Sequence, residues 1–227
     1  MGSDSDKLAA LGWGSPFRDE WEADPGAPLA PMRVAIEHQD RFTLVGQGPA
    51  VDAHMTGGLL QKANRGGMRP AVGDWVGRGA DGLIQRIYTR RTAFARLSPR
   101  GKRQVVAANI DLVLLVTSCN LEFNLRRVER YLAAIWQSGA EPAIVLSKTD
   151  LSDEPKRYEE ELQSIAGSAP VLPVATPSGV GVDAVAALLA RGKTLALVGS
   201  SGVGKSTLAN ALLGVELFDT APIREQD

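Results

Sequence analysis

The pattern of hydrophobic and polar positions changes its period partway along the chain. Between residues 32 and 95, apolar positions fall in short runs separated by glycine, which is typical of short β-strands. Five short strands in one segment favour a small barrel of the OB type, and an SH3-like barrel or an irregular β-domain is the alternative. The predicted strands are Arg33–Glu37, Phe42–Val45, Val51–Met55, Asp74–Val76 and Leu83–Tyr88.

From Val105 onward, apolar runs of strand length alternate with amphipathic segments of helix length. This alternation predicts a parallel sheet with helices on both faces, and such sheets bind ligands at the carboxyl ends of their strands. The predicted strands are Ile110–Val116, Pro142–Leu146, Val171–Val174 and Thr194–Val198. The predicted helices are Arg126–Gln137, Glu154–Ile165, Val182–Ala190 and Lys205–Leu213.

Residues 1–31 contain four prolines, which break any long helix or strand. We expect an extension there, with one short helix around Phe17–Trp21. The predicted organisation is therefore an N-terminal extension (1–31), an OB-type domain (32–103) and an α/β domain (104–227).

Composition narrows the class of protein. The chain has 227 residues, of which 44% are hydrophobic and 22% charged, as in a globular protein. Apolar runs such as Leu112–Val116 are far shorter than the roughly 18 residues of a membrane helix, and Met1–Lys7 does not lead into a signal sequence. We expect a cytoplasmic protein with no membrane partner. One cysteine, Cys119, excludes an internal disulfide, and with only two histidines there is no Cys/His cluster for zinc.

The net charge of −1 conceals a basic segment. The segment from Gln61 to Arg103 contains eleven basic residues and two acidic ones, Asp74 and Asp81. Its local net charge is therefore +9. Such a segment suits a phosphate backbone, although basic stretches are often only solvated surface. The candidate RNA-binding residues are Arg65, Arg69, Arg90, Arg91, Arg100, Lys102 and Arg103.

A phosphate-binding motif of the form G-x-x-x-x-G-K-[ST] lies between the last predicted strand and the last predicted helix. Glycines at its fixed positions allow backbone N–H groups to point at phosphate oxygens, and the following helix adds its positive end. Lys205 would neutralise the β- and γ-phosphates, and the Ser206 hydroxyl would bind Mg²⁺; these two are the candidate catalytic residues. The candidate nucleotide-binding residues here are Gly199, Ser200, Ser201, Gly202, Val203, Gly204, Lys205, Ser206 and Thr207.

A second motif, Ser147-Lys148-Thr149-Asp150, follows the strand that ends at Leu146. It is similar to the Asn-Lys-x-Asp motif of GTPases, in which the carboxylate accepts hydrogen bonds from the N1–H and 2-amino groups of guanine. Asp150 fits that role and the stem of Lys148 would cover the base, whereas Ser147 replaces the usual Asn and should support the site less well. The alternative for the isolated tetrapeptide is a solvated loop.

Ala175 and Thr176 follow the next predicted strand, where GTPases carry Ser-Ala. The backbone N–H of Thr176 could contact guanine O6 whatever its side chain. Base recognition normally follows the phosphate loop, yet Lys148 precedes Gly199 by 51 residues. Because a parallel sheet keeps its arrangement when the chain ends are moved, this order predicts a circularly permuted GTPase domain after the OB-type barrel.

Together with the phosphate loop, four further motifs resemble the bacterial ribosome small subunit-dependent GTPase A family. They are Leu11-Gly12-Trp13, Pro70-Ala71-Val72-Gly73-Asp74-Trp75-Val76, Gln104-Val105-Val106-Ala107-Ala108-Asn109-Ile110-Asp111 and Asn124-Leu125-Arg126-Arg127. The resemblance implies an OB domain that binds ribosomal RNA, a permuted GTPase domain and a C-terminal zinc domain. It also implies hydrolysis of GTP to GDP with Mg²⁺, a role in late 30S maturation, and the 30S subunit and its 16S rRNA as partners. We expect a monomer.

The chain departs from that family at its carboxyl end. It stops at Asp227, before the family's threonine-rich switch, its Asp-x-x-Gly motif and its zinc domain. We therefore expect no zinc site in this chain, and nucleotide binding with very slow hydrolysis. The alternatives are a non-catalytic RNA-binding module that nucleotide only stabilises, or a P-loop ATPase or kinase.

Overall fold

The computed structural model describes residues 4–24, 26, 28–97, 103–120 and 123–220. The chain forms two compact units. The first contains Met1–Ile110 and Arg191–Thr194, and the second contains Asp111–Ala190 and Leu195–Asp227. The predicted boundary at residue 103 differs from this division, because the strand that begins there pairs with a strand of the first unit.

The first unit contains a five-stranded antiparallel sheet in the order β3-β2-β1-β4-β5. Its edges approach each other at a parallel bridge between Met55 and Ile84, where Ile84 N donates to His54 O at 2.8 Å. The sheet is therefore curled around its core, which includes Val34, Phe42 and Leu44. The strands are β1 (Ala30–Glu37), β2 (Phe42–Val45), β3 (Val51–Ala53), β4 (Trp75–Arg78) and β5 (Ile84–Ile87).

These five strands confirm the five predicted from the sequence, with shifted ends. The same region also contains elements that the sequence pattern did not predict. They are the helix α3 (Gly57–Asn64), capped by the Thr56 hydroxyl, and an antiparallel hairpin of β6 (Ala93–Leu97) and β7 (Arg103–Ala108).

The N-terminal segment forms two short helices, α1 (Asp4–Ala10) and α2 (Phe17–Glu22), and the second confirms the predicted helix. Trp13 and Phe17 are buried against Trp75 and Tyr88, and the ring centroids of Trp13 and Trp75 are 4.7 Å apart. The described part of the predicted extension therefore contributes large aromatic side chains to the core of the first unit.

Arg33 links separate segments of the first unit. Its guanidinium donates to Gly73 O at 3.2 Å, to Leu11 O at 2.5 Å and to Thr194 Oγ1 at 2.6 Å. Gly12 has a φ of +88°, and a Cβ atom there would lie 2.7 Å from the carbonyl oxygen of Gly192. These contacts explain why Arg191–Thr194 belongs to the first unit.

The second unit contains a parallel sheet in the order β10-β9-β8-β11, which confirms the predicted parallel strands. Leu114 and Val116 pack with Val185 and Leu208 on one face. Because side chains alternate along a strand, the intervening residues of β8 face the other side, where α4 covers β8 and β9. The strands are β8 (Leu112–Ser118), β9 (Glu141–Ser147), β10 (Val171–Pro173) and β11 (Leu195–Val198).

Four helices accompany this sheet: α4 (Leu125–Ser138), α5 (Pro155–Ala166), α6 (Val182–Ala186) and α7 (Lys205–Leu213). All four were predicted, but α6 ends earlier than expected. After Ala186, Leu188 N donates to Val185 O and Leu189 N to Ala186 O, which are the i→i+3 bonds of a tighter turn. Among the described residues, no helix combines the length and the apolar character that a membrane span requires.

Candidate nucleotide-binding site

The loop between β11 and α7 adopts a conformation that requires glycine. Gly199, Gly202 and Gly204 have φ values of +148°, +77° and +93°. A Cβ atom on Gly199 would lie only 2.2 Å from Val116 O, so any side chain there would collide with backbone. Strand, loop and helix therefore follow one another as the phosphate-binding motif predicts.

Lys205 is the first residue of α7, and its side chain folds back onto the loop. Its Nζ donates to Gly199 O at 3.1 Å and to Ser200 O at 2.5 Å. Burial lowers the pKa of Lys205 from its ordinary value, because the charged form loses contact with water. Phosphate oxygens would replace neutral carbonyl oxygens around this ammonium group and solvate it better.

Ser147 connects the second motif to the phosphate loop. Its side-chain oxygen lies 2.9 Å from Thr117 O and 2.6 Å from Val203 O, and Ser147 is 2% exposed. The single hydroxyl proton can serve either carbonyl. Serine thus joins the ends of two neighbouring strands to the loop; that it supports the site less well than asparagine stays a prediction.

Lys148 and Asp150 lie just beyond the end of β9. Lys148 has left-handed backbone angles (φ +59°, ψ +35°) and turns the chain into a 3₁₀ turn over Thr149–Leu151. Asp150 is exposed, and its carboxylate makes no hydrogen bond or ion pair within the described part of the chain. This carboxylate is therefore available to accept protons from a guanine base.

The segment containing Ala175 and Thr176 lies beside this turn. Thr149 N donates to Val174 O at 3.3 Å, which joins the two predicted base-recognition segments. Ala175 is 5% exposed and is fixed by a bond from its N–H to Val180 O at 2.9 Å, while Thr176 is half-buried at the start of the next 3₁₀ turn. The structure thus brings these segments together at one edge of the sheet.

Cys119 lies next to the same region. Its backbone N–H donates to Ser147 O at 3.1 Å, and its side chain is buried. Burial, together with the nearby Asp150 carboxylate, raises the pKa of the Cys119 thiol to about 11. This raised pKa favours the protonated thiol at neutral pH.

Ser206 and Thr207 follow Lys205 in the first turn of α7 and are half-buried. The Ser206 hydroxyl makes no hydrogen bond with any residue that the structure describes, so it is open to a ligand. Ser201 and Gly202 are exposed at the tip of the loop, and Val203 is buried beneath it. These positions fit a nucleotide whose phosphates lie over the loop.

Arg127 also contacts the phosphate loop, a contact that the sequence pattern did not predict. It lies in the first turn of α4, and its Nη1 donates to Ser200 Oγ. Arg127, Asn124 and Ser200 contribute to the walls of a small cavity of about 10 Å³ beside the loop. The motif Asn124-Leu125-Arg126-Arg127 was visible in the sequence, but two adjacent arginines do not reveal which one faces the loop.

Two of the candidate RNA-binding residues, Arg100 and Lys102, and the side chain of Arg103 lie outside the described residues. Arg65 is exposed. Arg69 forms ion pairs with Glu37 and Asp40 at 3.7 and 3.3 Å and lies over the Phe42 ring. The guanidinium of Arg91 lies over the ring of Phe17, 5.2 Å from its centroid.

Arg90 participates in the fold of the first unit. Its Nε and Nη2 donate to the two carboxylate oxygens of Asp74 at 2.8 and 2.6 Å, and its Nη2 also donates to Arg69 O at 2.7 Å. Asp74 is fully buried, and the Arg90 side chain is 13% exposed. We therefore assign Arg90 to this buried ion pair rather than to RNA contact.

The charge of +9 counted along the basic segment is partly balanced by acidic residues from elsewhere in the chain. Arg86 pairs with Asp24 and with Glu20, both of which belong to the N-terminal segment. This pairing lowers the pKa of Asp24, chiefly through its hydrogen bond to Arg86. The exposed positive charge of the first unit is thus smaller than the sequence count suggests.

Comparison with known proteins gave matches over nearly the whole chain. The model of the RsgA GTPase family matches residues 87–227. The small ribosomal subunit biogenesis GTPase RsgA of Opitutus terrae is 39% identical over 95% of this chain and 63% of its own length. The protein of the same name from Methanosarcina acetivorans is 40% identical over 95% of this chain and 59% of its own. The chain thus spans roughly three fifths of the length of these relatives.

Two solved structures have a similar fold. The crystal structure of YjeQ from Thermotoga maritima matches with a TM-score of 0.66 and 26% identity, over 81% of this chain and 64% of that one. The structure of YloQ, described as a circularly permuted GTPase, matches with a TM-score of 0.58 over 81% of this chain and 63% of that one. At 17% identity, the second likeness concerns the fold alone.

Proposed function

Because this chain belongs to the RsgA GTPase family, we propose that it binds GTP and GDP and acts as a GTPase in small ribosomal subunit biogenesis. The observation that carries the proposal is the contact of Ser147 with Val203 O, at 2.6 Å. It joins the base-recognition segment to the phosphate loop within one sheet. The names of the relatives support the choice of guanine nucleotide and of the small ribosomal subunit as partner.

We further propose that the second unit is a circularly permuted GTPase domain and the first an OB-type domain. For the second unit, the support is that β9 and β11 flank β8 in a parallel sheet, so their motifs lie at the same edge although their order along the chain is reversed. For the first unit, the support is the curled five-stranded sheet and the bridge between Met55 and Ile84.

In the proposed site, each residue has a separate task. The loop N–H groups and Lys205 hold the phosphates, Asp150 accepts the guanine N1–H and 2-amino protons, and the backbone of Thr176 lies near guanine O6. The Ser206 hydroxyl would hold Mg²⁺, with phosphate oxygens and water as its other ligands. When bound, Mg²⁺ supplies charge stabilisation for the phosphoryl group during its transfer to water.

We propose that the first unit contacts ribosomal RNA through its exposed basic side chains. Arg65 is the clearest described candidate, because it is exposed and makes no ion pair within the described residues. Arg69 and Arg91 are also candidates, as are Arg100, Lys102 and Arg103. Lys62, which is exposed on α3 near Arg65, adds to the same charge.

The test of this function is nucleotide binding by the unaltered protein and by Lys205→Ala, measured by calorimetry. We expect GDP and GTP to bind and ATP to bind far more weakly, and Lys205→Ala to weaken GDP binding by at least about tenfold. Lys156→Ala, which removes an exposed lysine of α5, is the matched control and should bind as the unaltered protein does. Preference for ATP, or equal GDP binding by Lys205→Ala, would overturn the proposal.

Hydrolysis requires a separate measurement. Single-turnover GTP hydrolysis should be compared with and without purified small ribosomal subunits. Faster hydrolysis in their presence would support the proposed partner. GDP binding without any stimulation would instead favour an RNA-binding module that nucleotide stabilises.

A further inference from the structure

Two positively charged side chains converge on Ser200 in the phosphate loop. Arg127 donates to its hydroxyl oxygen, and Lys205 donates to its carbonyl oxygen at 2.5 Å. Neither cation forms an ion pair with a carboxylate anywhere in the described residues. Both cations therefore donate to neutral oxygen atoms, and Lys205 also donates to Gly199 O at 3.1 Å.

Arg127 is held in this place by a rigid element. Asn124 caps α4, and its Oδ1 accepts from Arg127 N at 3.0 Å. The next residue, Val128, is 3% exposed, and Leu132 one turn later is 1% exposed, so this side of α4 is fixed against the sheet. Arg127 is half-buried, and its hydrogen bond to Ser200 holds the guanidinium beside the loop.

This arrangement leaves the loop short of negative charge. A partly desolvated cation is stabilised less by a hydroxyl or a carbonyl than by an anion. A phosphate group is the anion that a glycine loop of this shape accommodates.

We propose that Arg127 is a second cation of the nucleotide site, which acts on the bound phosphates together with Lys205. The hydrogen bond to Ser200 keeps its charge beside the loop until phosphates arrive. This inference rests on the proposed function, because it requires the loop to bind nucleotide phosphates. It adds a residue from α4 to a site otherwise formed by the phosphate loop and the two base-recognition segments.

Three variants separate charge from geometry. Arg127→Gln removes the charge but keeps an amide donor, and Arg127→Lys keeps the charge. Arg126→Gln, at the exposed neighbouring position, makes the same change in net charge and is the matched control. We expect Arg127→Gln to weaken GDP binding about tenfold, Arg127→Lys to recover most of that loss, and Arg126→Gln to have a much smaller effect.

Guanosine tests whether the effect belongs to the phosphates. The affinity for guanosine is obtained from its competition with labelled GDP, corrected for the altered GDP affinity of the variant. This affinity should be the same in the unaltered protein and in Arg127→Gln, because guanosine carries no phosphate. The difference in GDP affinity between the unaltered protein and Arg127→Gln should also shrink as salt is added, since screening weakens charge interactions. Far-UV circular dichroism verifies that each variant is folded.

In a histidine variant, the charge at position 127 can be changed by pH alone. For Arg127→His, GDP affinity relative to the unaltered protein should rise as the pH falls from about 8 to about 6 and the imidazole becomes protonated. No such rise, equal losses in Arg127→Lys and Arg127→Gln, or equal losses in Arg127→Gln and Arg126→Gln would each overturn the inference.

Ser200→Ala distinguishes a charge role from a purely positional one. If Arg127 acted only by holding Ser200, removing the Ser200 hydroxyl would weaken GDP binding as much as Arg127→Gln does, and the inference would be wrong. A smaller loss in Ser200→Ala supports it. Failure of the unaltered protein to bind GDP would overturn the proposed function and this inference together, whereas normal GDP binding by Arg127→Gln would overturn the inference alone.

Discussion

At the scale of single residues, one hydroxyl group holds three stretches of backbone together. The buried Ser147 oxygen lies within hydrogen-bonding distance of carbonyls from β8 and from the phosphate loop. Ser147→Ala removes the donor and leaves those carbonyls without it, so we expect a loss of about 1–2 kcal/mol in the free energy of unfolding. GDP binding should weaken as well, because Val203 O is in the loop.

Chemical denaturation and GDP titration measure the two effects. Ser164→Ala, which removes an exposed hydroxyl on α5, is the control and should change neither quantity appreciably. Unaltered stability and unaltered GDP affinity in Ser147→Ala would show that this hydroxyl does not connect the two motifs.

Asp150 gives a second prediction at this scale. In Asp150→Asn, the new amide presents a donor where xanthine has a carbonyl and guanine an amine, so preference should shift from GTP toward XTP. A mismatched hydrogen bond in a binding site costs about 2 kcal/mol, which sets the expected shift in relative affinity. Competition between GTP and XTP measures it, with Asp153→Asn as an exposed control. An unchanged preference for GTP would exclude Asp150 as the residue that reads the base.

Asp150 and Lys205 are recognisable as candidates in the sequence because their motifs are local and have fixed spacing. Arg127 was missed because its partner, Ser200, lies far away along the chain and meets it only in the folded sheet. The role of Arg90 was missed for the same reason, since the burial of Asp74 cannot be seen from its neighbours in sequence.

At the scale of elements, the phosphate loop depends on two kinds of glycine. Gly199 lies against the backbone of β8, whereas a Cβ on Gly202 would meet no protein atom within 4 Å. Gly199→Ala should therefore lower the free energy of unfolding by more than about 3 kcal/mol, and Gly202→Ala by about 1–2 kcal/mol from its positive φ alone. Thermal unfolding without nucleotide compares them, and equal losses would show that the contact with Val116 O is not limiting.

The elements themselves were predictable to different degrees. The limits of α7 matched the sequence prediction because Gly204 and Gly214 adjoin its two ends. The helix α3 was missed because it begins with Gly57 and Gly58, which oppose helix formation by propensity and depend on the Thr56 cap. The hairpin of β6 and β7 was missed because its polar residues, Arg96, Arg103 and Gln104, do not alternate with its apolar ones.

At the scale of the whole molecule, the distribution of charge distinguishes residues that stabilise the fold from those that we propose contact RNA. Arg90→Ala would leave the buried Asp74 carboxylate with Ala71 N as its remaining bonded donor, so we expect a loss of about 3 kcal/mol or more in stability. Arg65→Ala should leave stability unchanged, because Arg65 is exposed. It should instead weaken RNA binding and lower the slope of log affinity against log salt by about 0.7–0.9.

Denaturation curves measure the stability of Arg90→Ala and Arg65→Ala, and RNA titrations over a salt series measure the RNA affinity of the same two proteins. A stable Arg90→Ala protein would contradict the assignment of Arg90 to the fold. An Arg65→Ala protein with unchanged RNA affinity and salt slope would remove Arg65 from the RNA-contacting surface.

The four residues Arg191–Thr194 pack with the first unit although they lie between two segments of the second. Arg33 and Gly12, which hold them, are encoded far upstream. Recombination that replaced residues 1–110 alone would therefore place another protein's residues at positions 12 and 33. Those residues would have to pack against the original segment 191–194. Transfer of the intact first unit to another protein requires both stretches of the gene to be transferred together. The DNA that encodes this unit is therefore discontinuous.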